Sequence, residues 1–273
     1  MKTVFLLGRE QNLSLAELGA FFGGDLAHDD RLGLATTTKP LPCSPQDFLK
    51  RLGGTREILE IIVDDIPKDT IETFLCDVIL NQAPPQGKIL FGVNLLPEPR
   101  FSPMLRKLLP RLKKMLKEKG RSSAFANKQF ANVDPVFALK QNLADRGANI
   151  YMGQQSPHTA WIGISRALQD VDSYGLRDSG KPCRDPISGM LPPKLAQMMI
   201  NLCIADTGSF NIRQLIYDPF CGSGTILMEA LLMGMDAIGS DKQEKNTACT
   251  NQNITWLRQE FGLRADLHAD VFR

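Results

Sequence analysis

The chain has 273 residues, 43% hydrophobic and 23% charged, with a formal net charge of +2. Those values fit a globular protein of one long or two ordinary domains, and they exclude a disordered or fibrous chain. Cysteines stand at 43, 76, 183, 203, 221 and 249 with no C-x-x-C pair, so neither a zinc knuckle nor a disulfide scaffold is indicated and we expect reduced thiols. His28, His158 and His268 are too few for a His-based metal site, and no metal is expected. The opening MKTVFLLGRE has one early Lys and a very short apolar run. It is too short for a signal peptide or a bilayer span, so we expect a soluble, cytoplasmic protein that does not contact a membrane.

In chain order, KTVFLLG reads as a strand, and LSLAELGAFF as a helix after Asn12 that stops at Gly23-Gly24. PQDFLKRLGG is a second short helix and TREILEIIVDDI a longer strand. This order suits a small α+β layer, ferredoxin-like in broad terms. KDTIETFLCDVILNQ follows as a helix with Ile71, Phe74, Leu75 and Val78 on one face, then KILFGVNLL as a strand. SPMLRKLLPRLKKMLKEKG is an amphipathic helix whose apolar stripe is Leu105, Leu108, Leu109, Leu112 and Leu116, with a bend expected at Pro110. SSAFA and NIYM are strand candidates. Residues 174–191 are rich in Gly, Pro, Asp and Arg and read as a linker into a second domain. Pro192-Pro193 start a further helix with Leu195, Met198, Met199, Leu202 and Cys203 as its core face. The remaining order of strand, helix, strand, helix, strand implies a parallel sheet with crossover helices.

Charge is unevenly placed. From Arg100 to Arg121 the sequence carries nine basic residues against one acid, Glu118. Such a cluster binds phosphates through counterion release, and the bland alternative is a solvated helix face. Trp161 and Trp256 read as packing aromatics and not as a base-stacking platform.

The strongest motif is DPFCGSGT, Asp218 to Thr225. A strand carries Asp218 to its end; Gly222 and Gly224 allow tight turns and close approach of a ligand to the backbone. The following helix offers free N–H donors at its start. The spacing is neither a Walker loop nor G-x-G-x-x-G, and an acid directly before the loop suits an amino group where a pyrophosphate would be repelled. Asp241 ends the next strand, where a carboxylate can take both ribose hydroxyls of an adenosine. Asp270 is read as ending the third strand, an acceptor for an adenine amino group. These acids and the glycine loop describe an S-adenosylmethionine site.

DPFCGSGTILMEALLMG resembles the cofactor motif of the THUMP-containing RNA methyltransferases, especially the tRNA guanine-N2 methyltransferases. RDPISGMLPPKLAQMMINL resembles the helix segment before the cofactor strand in that family, and LGGTREI (Leu52 to Ile58) the end of its small N-terminal domain. The resemblance implies an α/β protein: an N-terminal α+β ferredoxin-like domain over 1–65, a THUMP-like RNA-binding domain over 66–170, and the N-terminal half of a Rossmann-like methyltransferase domain over 171–273. It implies that Asp218, Phe220, Gly222 and Gly224 hold the methionine end of the cofactor, Asp241 the ribose, and that Asp270 lies near the adenine. Within a THUMP-like domain, Arg106, Lys107, Lys113, Lys114, Lys117 and Arg121 become the expected contacts to RNA, most simply tRNA.

The family's catalytic (D/N)-P-P-(Y/F/W) motif, which binds the target amino group and stacks on a flipped base, has no counterpart here. The only Pro-Pro pairs are Pro84-Pro85 and Pro192-Pro193, without the flanking acid or amide and aromatic. The catalytic residues are therefore unassigned. We read the 273 residues as a truncated or split enzyme, with LIYDPF left as an apolar sheet edge open to a second chain that completes the domain. Two other readings remain at this stage: a non-catalytic RNA-binding protein with a remnant methyltransferase domain, and a fragment of a DNA amino-methyltransferase, in which DPF-x-GSGT also occurs.

Overall fold

A computed structural model describes residues 2–97, 102–146, 148–185, 189–204 and 213–273. Arg100 and residues 186–188 of the RDPISGM stretch lie outside the described residues. In chain order the elements begin with β1 (Lys2–Leu7), α1 (Gln11–Phe22), β2 (Leu26–Asp29), β3 (Leu34–Thr37), α2 (Pro45–Arg51) and β4 (Thr55–Pro67). Next come α3 (Ile71–Gln82), β5 (Ile89–Leu96), α4 (Pro103–Glu118), β6 (Ser123–Phe125), α5 (Pro135–Lys140), α6 (Leu143–Arg146), β7 (Ala148–Gln154) and β8 (Thr159–Leu168). The last are α7 (Val171–Gly175), α8 (Pro193–Ile204), β9 (Leu215–Asp218), α9 (Thr225–Leu232), β10 (Asp236–Ser240), α10 (Glu244–Phe261) and β11 (Ala269–Phe272).

The contacts divide the chain into two units. The first comprises residues 1–8, 25–49 and 55–169. All of its strands belong to one mixed sheet, ordered β2-β3-β1-β4-β8-β7-β5-β6, in which only the β5–β6 and β5–β7 pairs are parallel. β4 pairs with β1 on one side and β8 on the other, so the sheet runs unbroken across residues 65 and 66. The β2–β3 hairpin escaped sequence reading: both strands are short, and Asp29 Oδ1 closes the turn by accepting from the N–H groups of Arg31 and Leu32.

One face of this sheet packs on α3 and α4. Ile89, Phe91, Val93, Ile150, Ile162 and Ile164 meet Leu75 and Ile79 of α3 and the full leucine stripe of α4. Burial of each such side chain contributes about 1.5–3 kcal/mol. Ser102 caps α4, its hydroxyl accepting from Leu105 N–H at 3.2 Å, and the helix continues through Pro110. Elsewhere in the sheet a polar ladder replaces apolar packing. Asn94 Nδ2 donates to Asn149 Oδ1 at 2.8 Å, Asn149 Nδ2 to Glu57 Oε1 at 3.1 Å, and Tyr151 Oη to Glu57 Oε2 at 2.7 Å. Burial pushes the Glu57 carboxyl up to about 7, against the pull of these donors.

The second unit comprises residues 9–24, 50–54 and 170–273. β9, β10 and β11 form a parallel sheet in the order β11-β10-β9, joined by α9 and α10. Ile216, Ala237, Ala269 and Val271 turn to one face, where Ile200 and Ile204 of α8, Leu227 and Leu231 of α9, and Ile254 and Leu257 of α10 cover them. On the strands' other side chains Leu215, Tyr217 and Phe272 are half exposed, and the Tyr217 and Phe272 rings stack across β10 at 6.4 Å. Among the described residues β9 lies at one edge of this sheet.

Two readings are corrected here. The glycine- and proline-rich stretch after Tyr174 is no linker: Tyr174, Arg177 and Lys181 are buried within the second unit. α8 also turns a different face inward. Met198 is buried as expected, but Met199, Leu202 and Cys203 are exposed, while Ala196, Gln197, Ile200, Asn201 and Ile204 are buried. Polar partners explain the rotation. Gln197 meets Tyr174 Oη and the Lys50 carbonyl; Asn201 Nδ2 donates to Glu17 Oε1 and the Arg51 carbonyl. Glu17, on α1, also accepts from the N–H groups of Gly53 and Gly54 at 2.9 and 2.8 Å. A Cβ at Gly53 would meet the Lys194 carbonyl and one at Gly54 the body of Ser14, so the Gly-Gly of LGGTREI is required by close packing.

Candidate functional site

The glycine loop leaves β9 at Asp218 and enters α9 at Thr225. Gly222 and Gly224 have φ of +53° and +82°, the left-handed region that glycine enters without strain. Cys221 is buried beneath the loop, its N–H donating to the Ser240 carbonyl. Phe220 projects at the tip, 85% exposed.

Asp218 is only half exposed, and one of its oxygens, Oδ1, accepts from Phe220 N–H at 2.9 Å. Burial pushes its carboxyl above the ordinary range; the Phe220 N–H opposes this and negative Asp241 adds to it. Asp241 is committed to the loop: Oδ2 accepts from Gly222 N–H at 3.1 Å and Oδ1 from Gln243 N–H at 2.9 Å. Burial works against its ionisation, but the donors from Gln243, Asn246 and Gly222 outweigh that and hold the carboxyl below its usual value.

Asp270 does not end its strand. β11 continues to Phe272, and the register sets Asp270 level with Ile238 while Phe272 stands level with Ser240. The sequence expectation ended the strand at Asp270, whereas pairing with β10 continues through Val271 and Phe272. The structure thus brings Asp218, Phe220, Gly222, Gly224 and Asp241 together, and leaves Asp270 in mid-strand, exposed.

Several supporting residues are absent from the sequence reading. Thr250 Oγ1 donates to the Gly222 carbonyl at 2.8 Å, and Asn253 Nδ2 to the Ser223 carbonyl at 2.8 Å. Asn253 also brackets Cys183, accepting from its N–H and donating to its carbonyl, both at 2.9 Å. Cys183 and Cys249 form a disulfide, which corrects the expectation of six free thiols. Sequence spacing could not show it, since 66 residues separate the pair. Lys181 Nζ reaches Thr225 Oγ1 at 2.9 Å and Ser223 Oγ at 3.3 Å. Behind it Arg177 Nε binds Glu229 Oε1 at 2.7 Å in a buried ion pair, and burial pushes the Glu229 carboxyl up to about 7. The one available signal was polar residues at i and i+3 within a helix, Thr250 and Asn253, both fully buried.

In the first unit, α4 presents the predicted basic residues. Arg121 is held by the Pro84 carbonyl at 2.6 Å, and Lys114 lies 3.9 Å from Glu118. Arg111 and Lys119 pair with Glu72 and Asp77 of α3. Arg106, Lys107, Lys113 and Lys117 have no protein partner among the described residues and are exposed.

Residues 183–270 match the model of a protein family described as RMKL-like, methyltransferase domain. The chain is 39% identical over 75 residues to a tRNA (guanine(10)-N2)-dimethyltransferase of Methanothermobacter thermautotrophicus, covering 28% of this chain and 20% of that protein. It is 34% identical over 109 residues to the protein of the same name from Pyrococcus abyssi, covering 39% of this chain and 29% of that one. The matched segments thus span less than a third of these curated relatives. A 4-thiouridine synthetase solved with RNA and ATP is similar at a TM-score of 0.41 with 8% identity, over 95% of this chain and 58% of that one. Residues 183–270, with the glycine loop at their centre, are similar to the methyltransferase domain that this family model describes. Among the described residues no helix is long and apolar enough to cross a membrane.

Proposed function

We propose that the chain serves in S-adenosylmethionine-dependent methylation of RNA at an exocyclic amino group, guanine N2 of tRNA being the target its relatives' names favour. The observation that carries this reading is the loop itself: a half-buried acid with a free oxygen, a left-handed glycine pair and a second acid at the next strand end. The two carboxylates disfavour a pyrophosphate and suit a cationic amino group, so the residues present fit this cofactor. When bound, S-adenosylmethionine supplies an electrophilic methyl group. Asp218 Oδ2 would accept from its amino group. Gly222 and Gly224 would let its methionine end approach the backbone, with Phe220 screening that end from water. Asp241 fixes the loop through Gly222 and has lone pairs left for ribose hydroxyls, and Asp270, exposed on β11, would lie on the adenine side.

Residues 1–65 and 66–170 would act as the ferredoxin-like and THUMP-like RNA-binding regions. Arg106, Lys107, Lys113 and Lys117, free of protein partners, are the side chains we assign to tRNA phosphates. Lys114 and Arg121 would contribute less, since each is already engaged.

The test is calorimetry of the protein with S-adenosylmethionine, for which saturable binding is expected, together with a salt titration of tRNA binding. Failure to bind S-adenosylmethionine at millimolar concentration would sink the reading.

A further inference from the structure

We propose that Lys181 is the receptor for the carboxylate of the cofactor's amino-acid end, set against Asp218 as receptor for its amino group. The proposal rests on the S-adenosylmethionine reading of the glycine loop and names a residue outside the loop motif.

Lys181 is only 2% exposed, yet the acceptors of its ammonium are two neutral hydroxyls, on Ser223 and Thr225. Among the described residues no carboxylate lies within ion-pair distance of it. A buried charge without a partner of opposite sign is costly and is retained where something supplies that sign. Glu229, a buried acid that also acts on Lys181, is already bound to a second cation, Arg177, at 2.7 Å. Lys181, Arg177 and Glu229 therefore leave one net positive charge beneath the loop when all three are ionised. Burial lowers the ammonium's pKa, with Asp178 and Glu229 acting against that effect and Arg184 adding to it.

The position of this charge is specific. Ser223 and Thr225 flank Gly224, which opens the eight-residue helix α9. The N–H groups of the first turn have no intrahelical partners, and the helix dipole adds positive potential at the same point. Asp218 stands at the other end of the same loop, and Asp241 holds the loop's middle through the Gly222 N–H. One short loop thus has a negative end and a positive end. A zwitterionic α-amino acid group carries the complementary pair of charges on one carbon.

The experiment compares two ligands that differ only at that carbon: S-adenosylmethionine and its decarboxylated form, which keeps the sulfonium and the amine. Calorimetry on the unaltered protein should show the decarboxylated ligand binding at least ten-fold more weakly. In Lys181→Met, S-adenosylmethionine should lose at least ten-fold in Kd while the decarboxylated ligand stays within two-fold. Lys181→Arg should recover most of the loss. An equal loss for both ligands would mean that Lys181 only shapes the loop, and would overturn the proposal without touching the cofactor assignment. A ratio within two-fold in the unaltered protein would overturn it with no variant needed. Absence of S-adenosylmethionine binding in the unaltered protein would remove the cofactor reading and this proposal together.

Discussion

Gly224→Ala is the most direct test of how the loop is built. The substitution carries two separable costs. The backbone at φ +82° disfavours any Cβ, by about 1–2 kcal/mol for a left-handed residue. In addition the new methyl would lie 2.6 Å from Thr250 Cγ2 and 3.1 Å from its Oγ1. Thr250 cannot simply swing away, because its hydroxyl is tied to the Gly222 carbonyl at 2.8 Å and it is fully buried. Overpacking of that kind costs about 1–3 kcal/mol, so the total is about 2–5 kcal/mol. Gly262→Ala provides the control: φ is +57°, but nothing lies within 4 Å of the new Cβ, so only the first cost applies. Urea denaturation should therefore find Gly224→Ala the more damaging by about 1–3 kcal/mol. Thr250→Ser removes the clashing methyl and keeps the hydroxyl, so it should be partly restorative in the Gly224→Ala background and mildly destabilising alone. Equal effects of the two glycine substitutions, or no rescue by Thr250→Ser, would refute the contact on which the estimate rests.

Replacing Arg106, Lys107, Lys113 and Lys117 with glutamine should flatten the salt dependence of tRNA binding. At about 0.7–0.9 per phosphate contact the slope should fall by about 3, and an unchanged slope in a filter-binding titration would clear α4 of the role. Glu57 sets a pH dependence. Its folded-state pKa of about 7 lies above the ordinary 4.5, so its stabilising share is complete below 4.5 and is lost as pH rises through 7. The share is about 3 kcal/mol, and Glu57→Gln should show a correspondingly smaller fall in urea stability between pH 4.5 and 8. The Cys183–Cys249 bridge closes a loop of sequence separation 66, for which chain entropy predicts about 4 kcal/mol. Cys183→Ser with Cys249→Ser should lower the urea midpoint accordingly; an unchanged midpoint would show that Asn253 alone holds the segment.

Periodicity revealed the elements that bury apolar side chains. The stripe from Leu105 to Leu116 lies inside the first unit's core as its spacing requires, and Ile71, Leu75 and Val78 of α3 do the same. The same reasoning misplaced part of the inward face of α8, because it took Met199 and Leu202 as core and passed over Gln197 and Asn201. Those two amides are buried because Glu17, Tyr174 and the carbonyls of Lys50 and Arg51 receive them, and all of these come from distant parts of the chain. A polar residue satisfied at long range looks, in sequence, like a polar residue in water.

The glycine loop sharpens the point. Its glycines are legible because a tight turn and an open backbone demand them, but a glycine has no side chain with which to anchor itself. What fixes the loop must come from elsewhere: Asp241 on the Gly222 N–H, Thr250 on the Gly222 carbonyl and Asn253 on the Ser223 carbonyl. Every one of these spends a polar group that a helix or strand would otherwise turn to solvent. Asp241 alone was legible, and for a different duty. A motif of this kind announces the ligand it approaches and conceals its own supports, and the supports are where substitutions should separate loss of the loop from loss of the ligand.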